Sequence, residues 1–184
     1  MKKIIVIGTL DTKETEYRYL INTLKKLDLQ PVIIDISSRQ NRMGNKVDYS
    51  CVYVAKKAGY DFKEVLKQDR RGTAKIMIEG AKKIVNDIGS ISSGIISIGG
   101  ANGSHLACEI MRILPMGFPK IMISVVPAGD IRDNVGSDDI IVFNTIVDIY
   151  LNSIIKQVVC NACASLAGMK GGGLKCKYYI YLGK

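Results

Sequence analysis

Short runs of β-branched residues alternate along the chain with longer stretches in which apolar positions recur every three or four residues. KKIIVIG (2–8) is too short for a buried helix and ends in glycine, which predicts a strand. From Thr12 the spacing changes. Tyr17, Leu20, Ile21, Leu24 and Leu27 share one helical face, and Glu14 and Glu16 fall in the first turns, where the helix dipole favours acids. PVIIDIS (31–37) predicts a second buried strand. Residues 38–60 read as irregular, with VDYSCVYVA (47–55) as an edge strand. A short helix is expected over 61–68. The DRRG turn (69–72) should then lead into a longer helix carrying Ala74, Met77, Ile78, Ala81, Ile84, Val85 and Ile88. GIISIG (94–99), KIMISVVP (120–127) and DIIVF (139–143) predict three further strands. Leu106, Ala107, Ile110, Met111 and Leu114 mark a helix stopped by Pro115. Ile154, Ile155, Val158, Ala162 and Leu166 mark a long closing one.

Strands alternating with helices predict an α/β fold: a Rossmann-like, doubly wound, mostly parallel sheet with helices on both faces. Its crossovers should be right-handed, and its ligand crevice should lie beyond the carboxyl ends of the strands, where strand order reverses. One domain is expected over residues 1–169, followed by a basic, Gly- and Lys-rich tail over 170–184.

Composition narrows the function. Apolar residues make up 47% of the chain, as in a folded globular protein, and no apolar run approaches the ~20 residues of a membrane span. The apolar start is broken by Asp11 and Lys13, unlike a signal peptide, which points to the cytoplasm. Five cysteines (Cys51, Cys108, Cys160, Cys163 and Cys176) show no framework spacing, and the C-x-x-C at Cys160 and Cys163 lies within a helical pattern. The net charge is +9, with four lysines in the tail and the rest in pairs such as Lys25-Lys26 that suit a wet helix face. No basic stripe interleaved with aromatics appears, so nucleic acid is not the expected partner.

Three loops at strand ends carry unusual chemistry: GTLDTK (8–13), GGANGSH (99–105) and SVVPAGDIR (124–132). Glycine lets an anion approach main-chain N–H groups, and a helix start presents unpaired donors and partial positive charge. Asn102 and Ser104 can add side-chain donors, and Lys13 and Arg71 can neutralise phosphate, Arg71 as a fork and Lys13 as a point charge. Neither a P-loop nor a clean G-x-G-x-x-G is present. A tight turn that merely packs, or another anionic small molecule, remains the alternative. Asp11, Asp35, Asp130 and Asp148 are candidates for holding Mg²⁺ through water, against plain strand-end or helix-start roles for Asp35 and Asp148. His105, the single histidine, is a candidate acid–base group or a surface residue.

In order along the chain, IGTLDTKETEYRYL, VIIDIS, DRRGTAKIMIEGA, the long glycine-loop segment 94–140 and VDIYLNSIIKQVVCNACASLAGM resemble the tomato mosaic virus resistance protein family and its bacterial and fungal relatives. The resemblance implies a Rossmann-like domain that binds ATP, with or without Mg²⁺. Its site would be Thr9, Asp11, Thr12 and Lys13 with Gly99, Gly100, Gly103 and Ser104, walled by Ser124, Ala128 and Gly129. The family loop reads G-G-S-G-G-T. Here Ala101 stands for the serine, Asn102 for a glycine and Ser104 for the threonine. Relatives continue into a second α/β domain. The face that docks it is expected to be exposed here, which implies a homo-oligomer. The viral replication protein bound by the plant member is external to the fold and is not implied as a partner. Two rival readings stand beside nucleotide binding: an enzyme acting on a phosphorylated or carboxylated small molecule, and a non-enzymatic interaction module.

Overall fold

Strand β1 (Lys2–Gly8) is buried on both faces from Ile4 onward, because successive side chains point to opposite sides and Ile4, Ile5, Val6 and Ile7 are all apolar. Ile4 and Val6 enter one core and Ile5 and Ile7 the other. In the structure, a computed structural model that describes residues 2–39, 46–125, 131–145 and 151–169, β1 pairs with β2 (Leu29–Asp35) on one side and β3 (Ile95–Gly99) on the other. β4 (Lys120–Ser124) and β5 (Ile141–Asn144) complete an all-parallel sheet of order β2-β1-β3-β4-β5. This is the doubly wound order whose switch point lies between β1 and β3.

Helix α1 (Glu14–Lys26) and α7 (Ser153–Met169) cover one face, packing Leu20, Leu24, Val159 and Leu166 onto Val6, Ile96 and Ile121. α2 (Cys51–Ala58), the single turn α3 (Phe62–Val65), α4 (Arg70–Gly89) and α5 (Ala101–Met111) cover the other, with Val54, Met77, Ile84 and Leu106 in its core. α6 (Arg132–Val135) is a single turn beside α5. No helix among the described residues is long and apolar enough to cross a membrane.

Three sequence expectations are corrected here. The segment 47–55 is not an edge strand. Only Tyr49 bridges to Ile34, after which Ser50 caps α2 by accepting the Tyr53 N–H at 3.3 Å. DRRG is not a turn before a helix but the cap and first turn of α4, with Asp69 accepting the Gly72 N–H at 2.7 Å. The glycine segment after β3 is likewise helical from Ala101. The tail 170–184 lies outside the described residues.

Candidate functional site

The β1–β3 ladder ends early. Pairing runs only through Ile5–Ile95 and Val6–Ile96, after which the strands part. The gap is filled from below by Tyr17 of α1, whose ring is fully buried. Its hydroxyl reaches Ile7 O at 2.8 Å and Ile98 O at 2.7 Å, lies 3.2 Å from Ser97 Oγ and accepts the Ile98 N–H at 3.1 Å. Burial pushes the phenol up to about 12, so it stays neutral. Above this staple the chain leaves β1 at Gly8 and β3 at Gly99, and each strand runs into a helix.

Both helix starts lack a side-chain cap. Four other starts carry caps: Ser50 on α2, Asp61 on α3, Asp69 on α4, and Asn152, which accepts the Ile155 N–H at 2.9 Å, on α7; the single turn α6 has none. At α1 and α5 the first N–H groups have no intrahelical acceptor, and the dipoles add partial positive charge at the switch point.

The two starts open on one crevice of about 390 Å³, lined by Thr9, Asp11, Thr12, Lys13, Ser38, Arg70, Gly100, Ala101, Asn102 and Gly103. A second cavity of about 380 Å³ adjoins it through Thr9, Ser38, Arg70 and Asn102. That chamber has Ile36, Val65, Leu66, Met77 and Leu106 on its walls beside Arg39, Gln68 and Thr73. Lys13 and Arg70 have no carboxylate partner among the described residues, whose ion pairs lie elsewhere.

The glycines divide into two kinds. A Cβ on Gly8 would stand 1.6 Å from the Tyr17 hydroxyl, and one on Gly99 would stand 3.0 Å from the main chain of Gly103 and Ser104. These two are glycine because the protein packs against them. A Cβ on Gly100 meets nothing nearer than Val125 at 3.8 Å, and one on Gly103 nothing nearer than Thr9 Oγ1 at 3.7 Å. Neither of these has positive φ, so neither is glycine for the sake of its backbone conformation. Packing and backbone both permit a side chain there, yet the space over the helix start is left bare.

Eight of the expected residues therefore meet at the crevice: Thr9, Asp11, Thr12, Lys13, Gly100, Ala101, Asn102 and Gly103. Others do not reach it. Ser104 and Ser124 are fully buried beneath, their hydroxyls 2.8 Å apart, and Ser104 also donates to Gly99 O at 3.3 Å. Arg71 is exposed and does not line either cavity; its neighbour Arg70, the first residue of α4, does. Asp35 is turned inward and accepts from the Ser37 N–H at 3.0 Å and from Ser37 Oγ. His105 lies on the outer face of α5, with Nδ1 3.1 Å from Asn134 Oδ1. Cys51, Cys108 and Cys163 are buried thiols pushed up to about 12, 11 and 12 respectively by burial, which suits core packing. Ala128, Gly129, Asp130 and Asp148 lie outside the described residues. Sequence reasoning missed Ser38, Arg70 and the Tyr17 hydroxyl.

Known proteins match this chain closely enough to place it. It is 34% identical over 176 residues to a UPF0261 protein of Clostridium tetani, covering 93% of this chain and 43% of that protein. It is 31% identical over 200 residues to the ToMV resistance protein Tm-1(GCR237) of Solanum lycopersicum, covering 94% of this chain and 25% of the plant protein. The chain thus spans less than half the length of these relatives. A solved structure of a putative hydrolase of the alpha/beta superfamily from Xanthomonas campestris pv. campestris aligns over 90% of this chain and 96% of its own, at TM-score 0.43 and 12% identity. The model of the uncharacterised protein family UPF0261 N-terminal domain matches residues 2–173, and the chain belongs to that family.

Proposed function

We propose that the crevice between the β1 and β3 ends binds the phosphate groups of a nucleotide, with ATP the ligand favoured by the family resemblance. One observation carries the reading: two uncapped helix starts converge on one crevice, and the glycines over the second are bare without structural need. A polyphosphate would accept the orphan N–H groups and meet the unpaired cations Lys13 and Arg70. Thr9, Thr12 and Asn102 would add donors. The adjoining chamber of mixed lining, with Gln68 and Thr73 among its polar residues and Ile36 and Leu106 among its apolar ones, is large enough to receive the rest of the molecule. Self-association belongs to the same proposal: among the described residues β5 is an edge strand with Ile141 42% exposed, the kind of apolar edge that pairs with another chain.

The test is a thermal melt with and without ATP. At a concentration about 100 times the dissociation constant, binding should stabilise the fold by about 2.7 kcal/mol. Gly103→Val should alter the unliganded protein by less than about 1 kcal/mol, because its Cβ has room and the site is at a helix start. Its methyl groups would occupy the anion's place, so the ligand-induced shift should vanish. A shift that persists in the variant would return this segment to a plain strand-to-helix junction.

A further inference from the structure

Asp11 lines the same crevice as the orphan helix starts, and its charge is at odds with an anion site. Its main-chain N–H donates to Ser37 Oγ at 3.1 Å, but its side-chain Oδ1 is buried without a hydrogen-bond partner. It joins none of the ion pairs among the described residues, although Lys13 and Arg70 line the same cavity. Buried carboxylate oxygens are rarely left unsatisfied, because desolvation without a partner is costly. The missing partner is not a bare phosphate: both groups are anionic acceptors, and like charges a few ångströms apart repel. A cation that the phosphate brings with it would answer both. Mg²⁺ is commonly held by one or two carboxylates together with substrate phosphate oxygens, keeping several waters. Thr9, Thr12 and Ser38 line the same crevice with hydroxyls that can accept from those waters. The other acid at this edge, Asp35, is already engaged by Ser37. One carboxylate cannot hold Mg²⁺ alone, and no group of three potential ligands occurs among the described residues.

We infer that Asp11 makes the site selective for the magnesium complex of a polyphosphate over the free anion. The inference rests on the nucleotide reading above and can fail separately from it. Calorimetric titration of the full chain with ATP, once in Mg²⁺ and once in EDTA, measures the selectivity directly. The wild-type chain should bind the magnesium complex at least about tenfold more tightly, as expected when a carboxylate and phosphate share one cation. Asp11→Asn keeps the shape and the main-chain bond to Ser37 while removing the charge. It should bring the two affinities within about threefold of each other, chiefly by improving the binding of free ATP. Lys13→Met should weaken both forms and keep their ratio. If Asp11→Asn keeps the wild-type ratio, or weakens both forms alike, the inference falls and the nucleotide reading stands. If the wild-type chain binds neither form, both fall. A second readout needs no variant. With Mn²⁺ in place of Mg²⁺, the paramagnetic resonance signal of free Mn²⁺ should drop on adding protein only when ATP is present. A drop without ATP, or none with it beyond what ATP alone causes, overturns the inference.

Discussion

Gly8→Ala should destabilise the protein by about 3 kcal/mol or more, read as a fall in the midpoint of urea or thermal unfolding. The new methyl would lie 1.6 Å from the Tyr17 hydroxyl oxygen and 2.1 Å from the ring carbon bearing it. The ring has no alternative place, since it is fully buried among Leu10, Leu20, Ile98 and the sheet. Overpacking a tight core typically costs about 1–3 kcal/mol. Displacing the hydroxyl adds the loss of its bonds to Ile7 O, Ile98 O and the Ile98 N–H, and each buried group left unsatisfied costs about 1–3 kcal/mol. Tyr17→Phe, which removes the bonds without the clash, should cost less than Gly8→Ala. Tyr17→Leu combined with Gly8→Ala should be less destabilised than the sum of the single variants, because the clash disappears with the ring. Strict additivity in that cycle would mean that the two residues do not share this contact.

The Gly8–Tyr17 pair also shows where sequence reading stops. Periodicity placed Tyr17 correctly on the apolar face of α1, but periodicity registers burial and says nothing of a hydroxyl reaching across to another strand. The alternation of elements was legible because the inner strands β1, β3 and β4 of this parallel sheet are buried on both faces and read as short apolar runs. α2 was not legible: Cys51, Val54, Ala55 and Ala58 do repeat at helical spacing, but Val52 and Tyr53 between them make the stretch look like a strand. α5 was seen only from Leu106 onward, since Gly103 and Asn102 are poor helix formers whose state is decided by what precedes them. Residue types marked the loop 8–13, and the family resemblance picked out Thr9, Asp11, Thr12 and Lys13 within it. Arg70 and Arg71 could not be told apart, because which one enters the crevice depends on Asp69 being the cap. The Ser104–Ser124 hydroxyl pair illustrates the converse: residues of the right type at the right strand ends bond to each other beneath the site.

At the opposite end of the sheet, Lys120→Met should cost about 3–5 kcal/mol at neutral pH, the range for removing one partner of a buried ion pair. Lys120 opens β4 with its side chain fully buried, and its ammonium meets both Asp138 and Asp139 just ahead of β5. The cluster fixes the β5 approach: Asp139 also accepts the Gly117 N–H, and Asp138 Oδ1 accepts the Asp139 N–H at 3.1 Å. Methionine fills much of the same volume, so the loss measured is chiefly that of two carboxylates left facing each other without a cation. The pH dependence separates this from a packing defect. Burial raises the Asp139 carboxyl, but the bonds from Lys120 and Gly117 outweigh it and hold the group below its ordinary 3.8. In the wild-type chain its contribution is therefore present above about pH 4 and is lost as pH falls through the lowered folded value. In the variant the lowering by Lys120 is lost, so the Asp139 carboxyl takes up a proton at a higher pH than in the wild type. The wild type loses this contribution on acidification and the variant has none of it to lose, so the stability gap between Lys120→Met and wild type should narrow as pH falls below about 4. A gap of constant size across that range would assign the loss to the shape of the side chain and not to its charge.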